Sequence, residues 1–164
     1  MAMSMDLARY FEFEEVKRAL TLLTRLLRRW GYSFNEALIY GMLLLSPKPL
    51  SAAEISELSG LSRSTVSGIL GNLQKDYLVT YHKAGRVNYY EAIPALTEIF
   101  ARQPREILEK EVAPLEELVK AIHDKYRLDD NARYKRTLRD VEDMRRMLER
   151  CIEVLEERDE RRRS

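Results

Sequence analysis

The sequence predicts a mainly α-helical chain with one small β-hairpin set between long terminal helices. Three observations carry that prediction. Apolar residues recur at three- and four-residue spacings through most of the chain, which is the period of an amphipathic helix. Only six Gly and five Pro punctuate 164 residues, too few breaks for a sheet-rich fold. Dense β-branched and aromatic residues fall in two short runs, Leu78 to Lys83 and Val87 to Ile93, and a short glycine-containing loop between such runs marks a hairpin.

Taken in order, residues 10–30 read as one amphipathic helix. Phe13, Val16, Leu20, Leu23, Leu27 and Trp30 alternate spacings of three and four, the stripe of a coiled-coil seam. Leu22 and Leu26 widen it, and Gly31 ends it, because Gly accepts the left-handed conformation after a helix. Such a helix is about 30 Å long, more apolar length than a short domain needs, so part of it is expected to meet a partner. Ser33 and Glu36 form a capping box: each side chain can bond the other's backbone N–H. The helix they open carries Ala37, Leu38, Gly41, Leu44 and Leu45 and stops at Ser46-Pro47. Ser51 and Glu54 repeat the capping box before a short helix with Ile55 and Leu58 on one face, closed by Gly60. Ser62 caps a third helix running to about Tyr77, whose buried face is Val66, Ile69, Leu70 and Leu73. After the hairpin the chain turns helical at Pro94. Pro104 and Pro114 each predict a break or kink. A single charged helix runs from about Asn131, with Tyr134, Val141, Leu148 and Leu155 repeating every seven residues, Leu138 and Ile152 between them, and Arg145 standing where the seam wants an apolar side chain.

Composition narrows function before any motif does. Apolar residues make up 45% and charged residues 34%, above the roughly 25% charged of an average domain. The surplus points to long solvated helices. A net charge of +1 argues against coating nucleic acid by bulk charge but leaves room for a local DNA-reading face. One cysteine, Cys151, excludes an intrachain disulfide. It lies beside the apolar seam of the last helix and reads as a small buried residue. No apolar run approaches the roughly 18 residues of a membrane span, and the first residues are too acidic for a signal peptide. The expected location is therefore cytoplasmic, associated with the nucleoid, and no membrane contact is expected. His82 and His123 lack metal-ligand companions at suitable spacing, so no metal and no cofactor is called for. No nucleophile motif or phosphate loop appears, so an enzyme is not expected.

The order helix, short helix, capped helix, hairpin is that of a helix-turn-helix followed by a wing. A helix fits the DNA major groove and must be rigidly aimed at base edges. The helix at about 62–77 offers Ser62, Arg63, Ser64, Thr65, Ser67, Gly68, Gly71 and Asn72 away from its buried face, and the hairpin tip at 83–87 offers Lys83 and Arg86. Arg can bond a guanine edge twice, Asn can pair with adenine, and Ser reaches bases or phosphates. Tip cations suit the backbone or the adjacent minor groove. Gly68 and Gly71 each cost roughly 1 kcal/mol in a helix, so they signal close approach to DNA, close packing against another helix, or no role. The cations from Arg133 to Arg150 interleave with carboxylates, the pattern of an ion-paired solvated helix.

The stretch LSAAEISELSGLSRSTVSGILGNLQKDYLV, with the hairpin's Gly85-Arg86 and Tyr89-Tyr90-Glu91, resembles the MarR superfamily. GYSFNEALIYGMLLLSPKPLS before it and EVAPLEELVKAI after it resemble the GbsR-type branch. The resemblance spans roughly 31–122. It implies operator DNA as partner, a dimer built from terminal helices, and release by a small-molecule effector of unknown identity. The short wing tip with few charges, the two recognition-helix glycines and the Arg-rich last helix depart from it. The nine tyrosines and Trp30 could form an aromatic cage for a quaternary ammonium ligand, although most sit at core-like spacings. The expected organisation is an N-terminal dimerisation helix at 1–31, a winged helix-turn-helix at 32–93, and a C-terminal helical dimerisation region at 94–164. The expected function is a sequence-specific regulator of double-stranded DNA acting as a homodimer. Two readings stand beside it: an architectural chromosome protein with little sequence preference, and a winged-helix adaptor for another protein.

Overall fold

A computed structural model describes residues 6–164. The chain forms two compact units, one ending at Ala95 and the other spanning Leu96–Ser164.

In the first unit the helix expected over 10–30 is two helices, α1 (Leu7–Glu12) and α2 (Glu14–Arg29). Phe13 breaks them with extended dihedrals, φ −60° and ψ 137°. Beyond the break the Tyr10 hydroxyl donates to the Leu45 carbonyl at 2.6 Å, which fastens α1 to the end of α3 (Phe34–Leu45). Periodicity could not show this, because Phe13 keeps the stripe's spacing while leaving the helix. Phe13 is consequently exposed rather than part of a seam. The seam itself packs along α3: Leu27 is fully buried, and Val16, Leu20 and Leu23 are half-buried. Gly41 permits the approach, since a Cβ there would lie 3.0 Å from Leu20 Cδ1. Much of the apolar surface that suggested a partner is thus consumed by the unit's own core.

Both capping boxes form. Ser33 and Glu36 exchange bonds of 3.0 and 3.2 Å at α3, and Ser51 and Glu54 do the same at α4 (Ala52–Ser59). The buried line of α3 includes Ala37, Ile39, Tyr40 and Met42. Tyr40 donates its hydroxyl to the Ile93 carbonyl and accepts from the Ala95 N–H. Burial raises its pKa, keeping it a neutral donor. The hairpin is β2 (Val79–Ala84) and β3 (Val87–Ala92), joined by Gly85-Arg86. Gly85 has φ +65°, the positive value needed at the first position of a type II′ loop. A third strand, β1 (Leu50–Ser51), pairs antiparallel with Tyr90 and Tyr89, giving the order β1-β3-β2. Two residues carry no readable alternation, which is why β1 was not expected.

The second unit holds α6 (Leu96–Ile107), a π-helical turn (Leu108–Val112), α7 (Ala113–Tyr126) and α8 (Ala132–Arg163). Neither proline breaks the path. Pro104 lies inside α6. Before Pro114 the register widens instead, and the Ala113 N–H bonds the Leu108 carbonyl five residues back. A proline lacks the N–H for the α-helical bond and crowds the carbonyl four residues behind; the wider turn takes up both defects.

Arg145 sits in the α8 seam because Glu116 of α7 faces it. Its Nε donates to Glu116 Oε2 at 2.6 Å, and its Nη1 reaches both oxygens of Glu149 at 3.1 Å. Glu116 is only 6% exposed and also accepts from Lys120 Nζ at 2.6 Å. The Lys120 bond, then the Arg145 bond and both positive charges, hold its carboxyl below the usual range against the opposing effect of burial. Cys151, expected to be buried, is exposed. It precedes Ile152 by one residue and so lies about 100° around the helix from the seam.

Candidate nucleic-acid interface

The turn between α4 and α5 (Arg63–Lys75) is held by a run of local hydrogen bonds. Gly60 takes the left-handed conformation at φ +75° and donates to the Ser56 carbonyl. Ser56 Oγ donates to the Leu61 carbonyl at 2.6 Å, and the Leu61 N–H donates to Ser59 Oγ at 3.2 Å. Ser62 then caps α5, accepting from the Thr65 N–H while its own hydroxyl donates to Thr65 Oγ1 at 2.8 Å. Such a turn fixes the angle of α5 by short-range bonds. Packing fixes it again from beneath: Ile55 and Val66 are fully buried, and Leu70 and Leu73 are each 1% exposed. Leu58, expected in the same contact, is half-buried.

With Val66, Ile69, Leu70 and Leu73 inward, a rotation of about 100° per residue fixes what faces out. The line opposite the core is Ser64, Gly68, Gly71 and Lys75. Arg63 and Ser67 flank one side of it, Thr65 and Asn72 the other. Ser62, Arg63, Ser64, Thr65, Ser67, Gly68 and Asn72 are exposed, and Gly71 is half-exposed. A Cβ built at Gly68 or Gly71 would meet nothing within 4 Å. Packing against another helix of this unit therefore does not account for either glycine.

Lys83 and Arg86 are exposed on the wing. Lys83 stands opposite Asn88 in the β2–β3 ladder, and Arg86 is the second loop residue. Tyr81 pairs with Tyr90, and the His82 ring stacks on Tyr89 at 6.0 Å. Tyr40 lies in the core and Tyr134 stacks on His123 in the second unit. The rings are dispersed through the fold.

Lys75, absent from the residues picked out by sequence, belongs to this surface. It is exposed at the end of the α5 outward line. A signal for the whole surface was present in the charge order. Between Glu57 and Glu91 the only carboxylate is Asp76, whereas Arg63, Lys75, Lys83 and Arg86 are all cations, in a chain with 27 acidic residues overall. The overall charge of +1 conceals this local excess.

A capped, rigidly aimed helix followed by a cationic hairpin defines a winged helix-turn-helix. Residues 27–95 match the family model described as "Sugar-specific transcriptional regulator TrmB". Among solved structures, one described as a transcriptional regulator is 18% identical, with 90% of this chain and 97% of that one aligned and a TM-score of 0.52. A mutant of MepR from S. aureus is 16% identical over 75% of this chain and 96% of its own, at a TM-score of 0.40. A MarR family protein from Bacillus stearothermophilus is 16% identical over 75% and 99%, at 0.39. No protein of curated function matches the chain in sequence. At these identities the likeness is one of fold. The matched model is that of a transcriptional regulator and spans residues 27–95; the GbsR branch expected from residues 31–122 gains no support from these comparisons. Among the described residues no helix is long and apolar enough to cross a membrane, and no group of side chains could hold a metal ion.

Proposed function

We propose that the protein is a sequence-specific double-stranded DNA-binding regulator acting as a homodimer, with α5 in the major groove and the wing on the backbone or adjacent minor groove. The observation that carries this reading is the α5 surface. It is exposed, polar, free of carboxylates from Ser62 to Lys75, and smooth along Gly68 and Gly71. An adaptor for another protein would present apolar side chains there. Dimerisation would use exposed apolar residues of the helices outside 32–93, of which Leu22 on α2 is 61% exposed. The cytoplasm, at the nucleoid, is the place for such a protein. A small-molecule effector would act by favouring one DNA affinity over another.

The test separates two arginines. Arg63→Ala should lower affinity for a preferred operator by about 1–3 kcal/mol and affect random DNA far less. Arg86→Ala should weaken both DNAs alike and make the salt slope shallower by about one unit per lost phosphate contact. Fluorescence anisotropy at several salt concentrations measures both. Equal losses on the two DNAs for Arg63→Ala would favour the architectural reading, and no binding to either DNA by the unaltered protein would leave the adaptor.

A further inference from the structure

In the second unit a groove of ≈ 450 Å³ runs between α8 and the helix formed by α6 and the π-helical turn. That volume falls within the roughly 300–1,000 Å³ of small-molecule sites. The floor is apolar: Ala101 of α6 and Ile152 and Leu155 of α8 are half-buried. The rim is charged, and most of its charges are met. Arg105 pairs with Glu156 from helix to helix, and Glu98 pairs with Arg162. Glu106 pairs with Lys110 one turn on, and Asp159 with Arg158. Two charges of the lining are left over. Arg102 and Glu109 are exposed, and neither side chain has an ion-pair or hydrogen-bond partner among the described residues. They are opposite in sign and seven positions apart in the chain, which is about 10 Å along a helix and close to the same side of it. The groove therefore offers one free cation and one free anion with apolar surface between the two walls that carry them.

We infer that the α6–α8 groove binds a linear zwitterion with an apolar body. The carboxylate meets Arg102, the ammonium meets Glu109, and the body lies over Ala101, Ile152 and Leu155. An extended apolar tripeptide and an ω-amino carboxylate share this chemistry. Three extended residues span about 10 Å, the separation of the two free side chains along the helix. The distance between the charges decides the class. A free α-amino acid carries both charges on one carbon and reaches only one of the two partners. A singly charged amphiphile leaves the other partner unmet, and a dianion or dication is repelled at one end. All the lining residues belong to the second unit, so the inference does not rest on the DNA-binding reading.

The experiment titrates the full chain with the peptide Leu-Ala-Leu and with 8-aminooctanoate by calorimetry. N-acetylated Leu-Ala-Leu, C-amidated Leu-Ala-Leu and free leucine serve for comparison. Both linear zwitterions should bind, and the tighter of the two marks peptide or amino acid as the source. Either cap should weaken binding about fivefold, the upper end of what a solvent-exposed charge pair contributes, and free leucine should bind more weakly still. Arg102→Gln should cost the free peptide the same factor and the C-amidated peptide nothing further. Glu109→Gln should do the same with the N-acetylated peptide, since a cap and a variant that remove one interaction are not additive. Both side chains are exposed, so each variant should keep the fold, which circular dichroism checks. Failure of both zwitterions to bind at millimolar concentration overturns the inference. So do equal affinities for leucine and the tripeptide, or additive losses when a cap is combined with its matching variant. DNA binding is read separately by anisotropy, so a failure of the regulator reading leaves the groove assignment standing.

Discussion

Replacing Gly68 and Gly71 of α5 by Ala should make the protein more stable and a poorer DNA binder. Each glycine costs a helix interior about 0.8–1.0 kcal/mol relative to Ala. The usual compensation is a close contact that a Cβ would destroy, yet at both positions the added methyl meets nothing within 4 Å. Each single change should therefore recover about 1 kcal/mol and the pair about 2 kcal/mol. For a chain of this length that corresponds to a rise in melting temperature of roughly 4–8 °C. On DNA the sign reverses. The two glycines occupy the middle of the outward line between Ser64 and Lys75, so two methyls there hold the backbone away from the groove. A tenfold loss of affinity would correspond to about 1.4 kcal/mol, a modest penalty for two new side chains at a contact surface. Urea denaturation and fluorescence anisotropy on the same preparations give the two numbers. A variant that is stabilised but binds DNA with unchanged affinity would refute the close approach of α5. A destabilised variant would refute the open surroundings of the glycines.

Four further outcomes follow from the packing. Leu22→Arg should convert a dimer to monomers with the fold retained, because Leu22 is 61% exposed; light scattering across a dilution series reads this, and an unchanged mass places the interface elsewhere. Leu27→Arg cannot serve the same purpose, since Leu27 is 1% exposed and its loss should unfold the unit. Glu116 has a folded pKa below its ordinary value near 4.5, so its stabilising effect is present above that value and is lost as pH falls through the lower folded one. The gap in melting temperature between the protein and Glu116→Gln should close over that acid range, and a gap independent of pH would show that the carboxylate charge is not responsible. Tyr77 closes α5 in the left-handed conformation, φ 60°, with the Leu78 N–H bonded to the Leu73 carbonyl, the place usually taken by glycine. Tyr77→Gly should raise stability by about 1 kcal/mol, because an 82% exposed ring gives up little packing; a lower urea midpoint would contradict this.

Local chemistry made much of the fold readable. The capping boxes at Ser33 and Ser51, the cap at Ser62, the left-handed Gly60 and the Gly85 loop each depend on residues within four positions of one another, so the sequence determined them directly. The inward face of α5 was equally legible, since Val66, Ile69, Leu70 and Leu73 repeat with the helical period. The outward-facing residues then followed as the remainder, apart from Lys75, whose place on the outward line needed the helix to be drawn to its end.

What the tertiary structure decided were the questions of which surface meets which. Periodicity shows that a residue is apolar on a stripe but not what covers the stripe. Leu27 looked like a partner's contact and is core, because α3 carries a glycine where α2 must come close. Phe13 kept the helical spacing and broke the helix, because Tyr10 finds the Leu45 carbonyl 35 residues away. Arg145 looked like a flaw in a seam until Glu116 stood against it from another helix. Cys151 neighbours a buried line in sequence yet faces solvent by rotation. Each depends on groups far apart in the chain or on rotation about a helix axis. The sequence supplies the residue types for such encounters, and only the packed chain supplies the encounter.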